Sequence, residues 1–284
     1  MNNLITRTIS GIVFLVILIG AIISDSLSYG VLMLFIIIRG MLEYYKLLLP
    51  DKFAIRKVLG LISGAFLFLL LFFCAWAGYD YSLLLLMAIP VFAIFIAELY
   101  SKSEQPMQMI ATTLSGVIYV ALPFSLMNLM VFPCGNNTVE LSEFYYDYRM
   151  LLAFFIILWT NDVGAYCAGS LLGRSGKHKL FERISPKKSW EGFTGGVILS
   201  MLAGFVLYFV WGNNYPVSQV YWIVLGLIVS IFGTLGDLVE SMLKRSAGVK
   251  DSGNIMPGHG GMLDRFDSVL LSFPLMLIYW QIVI

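Results

Sequence analysis

The segment Lys244–Ser268, KRSAGVKDSGNIMPGHGGMLDRFDS, concentrates charge, glycine and one of the chain's two histidines between two apolar runs. Within it Asp264 and Asp267 are three residues apart, so a helix places both carboxylates on one face. Clustered carboxylates repel one another unless a cation lies between them, and ligand sets made only of oxygen suit Mg²⁺. With the lysines and arginines beside them, these residues predict chemistry on a polyphosphate, where metal ions and lysines neutralise the transferring group.

Composition indicates which elements must position these side chains. The 284-residue chain is 59% hydrophobic and 12% charged, whereas soluble domains are about 45–50% apolar and about 25% charged. A helix needs roughly 20 apolar residues to cross a bilayer. Suitable runs predict an all-α polytopic membrane protein with about nine transmembrane helices, the first of them uncleaved. The predicted spans are Ile9–Ile23, Leu27–Leu49, Val58–Ala77, Tyr81–Glu98, Ile110–Phe132, Met150–Leu171, Phe193–Trp211, Val220–Leu243 and Phe266–Ile284.

The distribution of Lys and Arg predicts the orientation, because cytoplasmic loops of membrane proteins retain these residues. With the N-terminus inside and the spans alternating, sixteen of the eighteen Lys and Arg residues fall on the cytoplasmic side. Arg149 falls outside, and Arg39 lies within the second span. The map predicts a cytoplasmic N-terminus, an outside C-terminus and two long, basic cytoplasmic loops, 172–192 and 244–265.

The candidate chemistry lies in the second half of the chain. We therefore divide the chain into N-terminal transmembrane helices at 1–149, with about five spans, and a C-terminal catalytic region at 150–284, with about four. Ionisable residues inside spans are costly and mark either a function or an internal ion pair. Three predicted helices bring carboxylates to the cytoplasmic side, namely Asp162 in the sixth, Asp237 and Glu240 in the eighth, and Asp264 and Asp267 in the ninth. Each alone could be a helix cap or part of a buried pair, but their convergence favours a divalent metal ion.

The two loops also carry features that suit anions. Lys187, Lys188 and Ser189 lie in SPKKSWEGF, which fits an anion-contacting turn before the seventh span, although ordinary positive charge near lipid headgroups is the alternative. Gly260 and Gly261 permit close backbone approach to a ligand and precede a helix whose first amides can bind anions. A plain turn would use the same glycines.

The sequence does not assign a single role to either of the two histidines. His259 in PGHGG is either a phosphate contact or a structural hydrogen-bonding residue, and its surroundings in the sequence do not separate the two. His178 lies among basic residues and is typical of a solvated face.

The segment Ser241–Asp267 resembles the signature of CDP-diacylglycerol synthases, the phosphatidate cytidylyltransferase family. The matching positions are Ser241, Lys244, Arg245, Lys250, Asp251, Pro257, His259, Gly260, Gly261, Asp264, Arg265 and Asp267. NDVGAYCAGSLLGR and ISPKKSWEGFTGG are also similar to family segments, with Val163 where the family often has Ser or Thr. The resemblance is strong over Thr160–Asp267 and only hydropathic in the first five spans, where it carries no site residue.

This resemblance implies the transfer of CMP from CTP to phosphatidic acid, giving CDP-diacylglycerol and pyrophosphate. It implies Mg²⁺ held by Asp237, Asp264 and Asp267. The catalytic residues would be Asp264, Asp267, Asp237 and Lys250. The substrate-binding residues would be Lys187, Lys188, Ser189, Lys244, Arg245, His259, Gly260, Gly261, Arg265 and Asp162. For Asp162, an intramembrane pair with a basic residue is an open alternative.

The expected setting follows from the same resemblance. CTP is cytoplasmic and the lipid is confined to the bilayer, so the site should face the cytoplasm in the inner membrane of a bacterium. A homodimer is expected, and no nucleic-acid partner.

Two other functions are compatible with a charged membrane protein. A CTP-dependent lipid kinase of the polyprenol type would transfer the γ-phosphate to an alcohol, but the full run of matching signature positions argues against it. An ion-coupled transporter would place acidic residues near the midplane and show internal repeats. Here no repeat is visible, and the charges gather at one face.

The predicted topology can be tested by labelling single cysteines in cells. We expect a cysteine near Asn136 to react with an impermeant reagent added outside, and one near Lys177 to react only after permeabilisation. Reversed accessibility would overturn the orientation.

Overall fold

The computed structural model describes residues 3–49, 54–101, 103–132, 146–173, 178–255 and 260–283, without the side chains of residues 3–7 and 54. The chain forms two compact units. The first comprises Met1–Tyr148 with Asp251–Arg265, and the second comprises Arg149–Lys250 with Phe266–Ile284. The predicted functional division at residue 149 stays a prediction.

The described part of the first unit is a set of α-helices. They are α1 (Asn3–Ser24), α2 (Ser26–Leu48), α3 (Ala54–Ala77), α4 (Ala88–Leu99), α5 (Pro106–Gly116), α6 (Leu122–Leu126) and α7 (Asn128–Val131). Asp25 caps α2, because its side chain accepts the backbone N–H groups of Leu27 and Ser28. The hydrogen bonds from Ser28 and Leu27 hold the pKa of Asp25 below its ordinary value.

Two interactions organise the interior of the first unit. The ring of Tyr45 fills the space beside Gly60 and Gly116, where any Cβ would overlap it, and its hydroxyl donates to the carbonyl of Thr113 at 2.7 Å. Arg56 in α3 donates from Nε and Nη2 to the two carboxylate oxygens of Glu98 in α4, at 2.6 and 2.8 Å. Both partners are buried, and a paired, hydrogen-bonded charge is the form in which burial is tolerated.

Two predicted spans are less regular than expected. The fourth begins as a 3₁₀ helix, Tyr81–Met87, and continues as α4. The fifth is divided among α5, a π-helical turn Val117–Ala121, α6 and α7. Pro123 lies in the first turn of α6 and has no N–H to donate to the preceding turn, which favours the local change in hydrogen bonding.

The second unit contains four long helices and a β-hairpin within the described residues. They are α8 (Arg149–Leu171), β1 (Lys179–Phe181), β2 (Ser185–Ser189), α9 (Trp190–Trp211), α10 (Gln219–Ser246) and α11 (Leu263–Val283), the last of which enters this unit at Phe266. Glycines bring α8, α9 and α10 close together. A Cβ at Gly164 would lie 2.7 Å from the carbonyl oxygen of Gly195, and one at Gly204 would overlap the carbonyl of Trp222. Small residues let helix backbones approach in this way in membrane proteins.

The hairpin is a departure from the all-α prediction. β1 and β2 pair antiparallel, with Lys179 opposite Ser189 and an irregular register. The sequence predicts an anion-contacting turn at SPKKSWEGF, whereas the structure forms a strand over Ser185–Ser189. A two-stranded sheet accepts Pro186 because every strand in it is an edge strand.

The prediction of a polytopic helical membrane protein is confirmed at the level of helix length and composition. Seven helices among the described residues are long and apolar enough to cross a membrane, and Thr8–Ser24 is a shorter apolar helix. The seven are Ile55–Ala77, Tyr81–Leu99, Pro106–Val131, Arg149–Leu171, Trp190–Asn214, Gln219–Ser246 and Leu263–Val283. The count of nine spans and the positions of the termini stay predictions.

Two glycine substitutions test the close approach of α9 and α10. We expect Gly204→Ala to lower the free energy of unfolding by about 1–3 kcal/mol, because the added methyl group overlaps the Trp222 carbonyl. Thermal unfolding of purified protein in detergent measures the effect.

Gly20→Ala is the matched control, since nothing lies within 4 Å of a Cβ there. Equal melting temperatures for the Gly204→Ala variant and the wild type would contradict the close contact.

Candidate functional site

A cavity of about 240 Å³ lies in the second unit among α8, α9, α10, α11 and the hairpin. Its polar and charged lining residues are Asn161, Asp162, Tyr166, Lys187, Lys188, Ser189, Thr234, Asp237 and Ser268. Five of the residues predicted from sequence are therefore brought to one cavity, namely Asp162, Lys187, Lys188, Ser189 and Asp237.

An ion pair joins the hairpin to α10 at this cavity. Lys188 Nζ lies 2.6 Å from Asp237 Oδ2, and Ser241 Oγ donates to Asp237 Oδ1 at 3.2 Å. Both charged side chains keep partial exposure, 26% for Lys188 and 33% for Asp237, so the pair is open to a competing ion. A phosphate anion would compete for the lysine, and a cation would compete for the carboxylate.

Helical spacing on α8 explains much of the lining. Asp162 and Tyr166 are four residues apart and share one face, as do Asn161, Ala165 and Gly169. The buried Asn161 is held in place by Ser230, whose Oγ donates to Asn161 Oδ1 at 2.5 Å. Asn161 and Tyr166 are not among the site residues predicted from the sequence, and only Tyr166, four residues from Asp162, had a helical spacing that could have indicated it.

Ser189 has a structural role at the start of α9. Its Oγ accepts the N–H of Gly192 at 3.1 Å, which is the hydrogen bond of a helix N-cap. The backbone N–H of Trp190 donates to the carbonyl of His178, and the ring of His178 contacts Glu191 at 2.7 Å. The cap aligns the hairpin with α9, so the two lysines before it enter the cavity lining. A direct substrate contact by Ser189 stays a prediction.

Charged side chains act on Asp267, which is one of the predicted metal ligands. Asp237 and Asp162 act on it as negative charges and Lys188 as a positive one. These oxygen ligands fit Mg²⁺, which takes one or two carboxylates together with phosphate oxygens. In the part of the chain that the structure describes, no three His, Cys, Asp or Glu side chains are close enough to hold a metal ion by themselves. The donor set thus fits a metal that substrate oxygens help to coordinate.

Four of the predicted cations, Lys244, Arg245, Lys250 and Arg265, are not among the residues that line this cavity. Lys244 Nζ lies 2.5 Å from Glu240, a fully buried carboxylate one helical turn earlier in α10. Arg245 donates to the carbonyl of Val249 at 3.4 Å, and Lys250 is exposed. Their predicted contacts with a triphosphate or a lipid phosphate stay predictions.

The segment Asp251–Arg265 belongs to the first unit and is organised around Asp264. Asp264 Oδ2 accepts the N–H of Ser252 at 2.9 Å, the hydroxyl of Ser252 at 2.9 Å and the N–H of Gly261 at 2.8 Å. In this structure Asp264 therefore holds Ser252 and Gly261 together within the segment. Its predicted role in binding a metal ion stays a prediction. Arg265 is exposed, and His259 and Pro257 lie outside the described residues.

Two glycines of this segment have a defined steric reason. Gly260 adopts a φ of 85°, a region that favours glycine, and a Cβ there would lie 2.7 Å from Asp264 Oδ2. A Cβ at Gly261 would overlap Glu43 and Ser252. The sequence predicts either close approach of a ligand or a plain turn at these glycines, and in the structure they leave space for carboxylates of the protein itself. Their predicted role in substrate binding stays a prediction.

These features define a polytopic helical membrane protein with an acid- and lysine-lined cavity. The sequence matches the model of the cytidylyltransferase family over residues 5–283, and the chain belongs to this family. The family resemblance seen over Thr160–Asp267 is thereby confirmed, and the match extends it to the first five predicted spans, where the sequence alone showed only hydropathic similarity.

Curated relatives agree with this placement. The chain is 36% identical over 280 residues to a protein of Staphylococcus aureus (strain COL) named phosphatidate cytidylyltransferase, covering 95% of this chain and 96% of the relative. It is 31% identical over 273 residues to the protein of that name from Bacillus subtilis (strain 168), covering 94% of each. It is 33% identical over 274 residues to that of Staphylococcus saprophyticus subsp. saprophyticus, covering 95% and 96%.

The cavity predicts binding of a small phosphate anion. We expect Lys188→Met to weaken inorganic pyrophosphate binding about tenfold, the loss of one charge-assisted contact. Isothermal titration calorimetry of the full chain in detergent at fixed ionic strength measures this.

Lys179→Met is the matched control, because Lys179 lies in the same hairpin but not in the cavity lining. An equal loss of affinity in both variants would indicate general surface charge rather than the cavity.

Proposed function

We propose that this chain transfers CMP from CTP to phosphatidic acid, with release of pyrophosphate and formation of CDP-diacylglycerol. The structural observation that best supports this proposal is the cavity lined by Lys187 and Asp162, in which Lys188 pairs with Asp237. Membership of the cytidylyltransferase family and the shared name of the relatives support the reaction.

The reaction needs no nucleophilic side chain. A phosphate oxygen of phosphatidic acid attacks the α-phosphorus of CTP and forms the new P–O bond. The bond from that phosphorus to the oxygen bridging to the β-phosphate breaks, and pyrophosphate leaves with the electron pair. Catalysis then consists of holding two anions together and neutralising the charge that moves onto the leaving group.

The lysines of the hairpin are placed for that neutralisation. Lys187 is exposed and lines the cavity, so it can reach an incoming phosphate at little cost in desolvation. Lys188 lines the cavity while it pairs with Asp237, and an anion can take over its partly exposed ammonium group. The N-cap at Ser189 holds both lysines next to the rigid end of α9.

The carboxylates complete the site. We propose that Asp237 and Asp267 hold Mg²⁺ and that Asp264 joins them, whereas Asp162 adds negative charge to the same cavity. When bound, such an ion neutralises phosphoryl oxygens and orients the triphosphate. To hold such an ion, Asp237 would have to give up its ion pair with Lys188, and the lysine would then be available to a phosphate.

The proposed setting follows from where the substrates are found. CTP is dissolved in the cytoplasm and phosphatidic acid is confined to the bilayer, so we propose that the cavity opens toward the cytoplasm in a bacterial inner membrane. The excess of Lys and Arg in loops 172–192 and 244–265 supports this orientation. The homodimer remains part of the proposal, argued from the family resemblance alone.

A turnover assay tests the reaction. Purified protein in detergent with phosphatidic acid, Mg²⁺ and CTP labelled in the cytidine ring should move label into a lipid. Addition of a chelator should stop the transfer. Transfer of label from γ-labelled CTP to polyprenol, with no cytidine in lipid, would replace this proposal with a lipid kinase.

Within this assay, Asp237→Asn should lower kcat at least a hundredfold. Glu182→Gln, in the exposed turn of the hairpin, is the control and should retain wild-type turnover. Wild-type turnover by the Asp237→Asn variant would remove Asp237 from the catalytic set.

A further inference from the structure

Glu43 lies in α2, in the half of the chain where the sequence offered no site residue, and is 5% exposed. Its carboxylate accepts three hydrogen bonds from the segment 251–265 of the same unit. Oε1 accepts the N–H of Met262 at 2.9 Å, and Oε2 accepts the N–H of Leu263 at 2.8 Å. The hydroxyl of Ser252 lies 3.1 Å from Oε2 and shares its single hydrogen between this carboxylate and that of Asp264. A buried carboxylate is thus paired with donors that are more than 200 residues away in the sequence.

The donors explain why a carboxylate is suited to this position. Leu263 is the first residue of α11 and Met262 precedes it, so their N–H groups are among those that a helix start leaves without intrahelical partners. A negative charge at this end also interacts favourably with the helix dipole. Glu43 therefore acts as a cap supplied from another helix.

The hydroxyl of Ser252 connects this cap to Asp264. Ser252 Oγ lies within hydrogen-bond distance of both Glu43 Oε2 and Asp264 Oδ2, and the N–H of Ser252 donates to Asp264. Gly253 and Gly261 give the Glu43 side chain its room, since a Cβ at Gly253 would lie 2.7 Å from Oε1 and one at Gly261 would overlap Oε2. The geometry of the Asp264 carboxylate thus depends on a loop that Glu43 holds in place.

We infer that Glu43 is a positioning residue for the proposed cytidylyl transfer. It holds the start of α11 and the Ser252 turn so that Asp264 is presented in one orientation, and it acts through Asp264 rather than on the substrate. The inference rests on the proposed function for its effect on turnover, whereas its effect on the loop can be measured independently.

Glu43→Gln tests the inference in the full chain in detergent. Gln has the same length but offers one acceptor oxygen instead of two, so one backbone N–H loses its partner. We expect amide exchange at Ser252, Met262 and Leu263 to become at least tenfold faster by hydrogen–deuterium exchange. We expect kcat to fall at least tenfold, with the KM for CTP changing less than threefold, because small misplacements of catalytic groups are costly while the binding contacts remain.

Glu98→Gln is the matched control, because Glu98 is another buried carboxylate of the same unit and pairs with Arg56 instead. At equal amounts of folded protein it should leave exchange in 251–265 and kcat unchanged. Glu43→Asp keeps the charge but shortens the side chain by one methylene group. It should therefore show the same faster amide exchange and lower kcat as Glu43→Gln. Unchanged exchange at Met262 and Leu263 in the Glu43→Gln variant would overturn the inference.

Ser252→Ala provides a second variant if Glu43→Gln fails to fold. It removes the hydroxyl that links Glu43 to Asp264 without altering α2, and it should lower kcat while the N–H groups of Met262 and Leu263 stay protected. An unchanged kcat in the Ser252→Ala variant would contradict the inference that Glu43 acts through Asp264. If the wild type makes no CDP-diacylglycerol, the proposed function fails, and the exchange measurement still decides whether Glu43 holds the loop.

Discussion

A carboxylate inside an apolar helical protein must be paired or hydrogen-bonded, because a charge left alone in such surroundings is far too costly. Two buried carboxylates of the first unit, Glu98 and Glu43, meet that condition by joining parts of the unit that are distant in the sequence. Glu98 pairs with Arg56 across two helices, and Glu43 binds the start of α11. Asp237, only partly buried, binds Lys188 of the hairpin. The arrangement of the site is therefore a consequence of how these carboxylates are satisfied.

Two kinds of carboxylate can be distinguished by their donors. Glu43 and Asp264 accept mainly from backbone N–H groups, which cannot leave without rearrangement of the loop, and they also contact the hydroxyl of Ser252. Asp237 accepts from a partly exposed ammonium group and a hydroxyl, both on side chains that can rotate. The first kind suits a fixed scaffold. The second suits a site where phosphate and a cation replace an internal ion pair, as the proposed transfer of CMP requires.

Several glycines leave room for the close contacts between neighbouring parts of each unit. At Gly164 and Gly204 it lets helices of the second unit approach at backbone distance, and at Gly261 it leaves room for the side chain of Glu43. In each place the neighbour is a group of the protein. An abundance of glycine near a site is thus explained by packing before any ligand is considered, and the lysines and carboxylates are the better indicators of chemistry.

Sequence by itself determined the class of the protein, the approximate positions of its helices and the family. Long apolar runs can be satisfied in lipid only as helices, and helical spacing places residues three or four apart on one face. That reasoning reached Asp162, Asp237 and the lysine pair Lys187 and Lys188. Tertiary structure alone decided which distant side chains meet, such as Glu43 with Leu263, Lys188 with Asp237, and Asn161 with Ser230. The reason is physical: local periodicity specifies neighbours within a few turns of one helix, whereas contacts between helices depend on how glycines, aromatic rings and buried charges fit together.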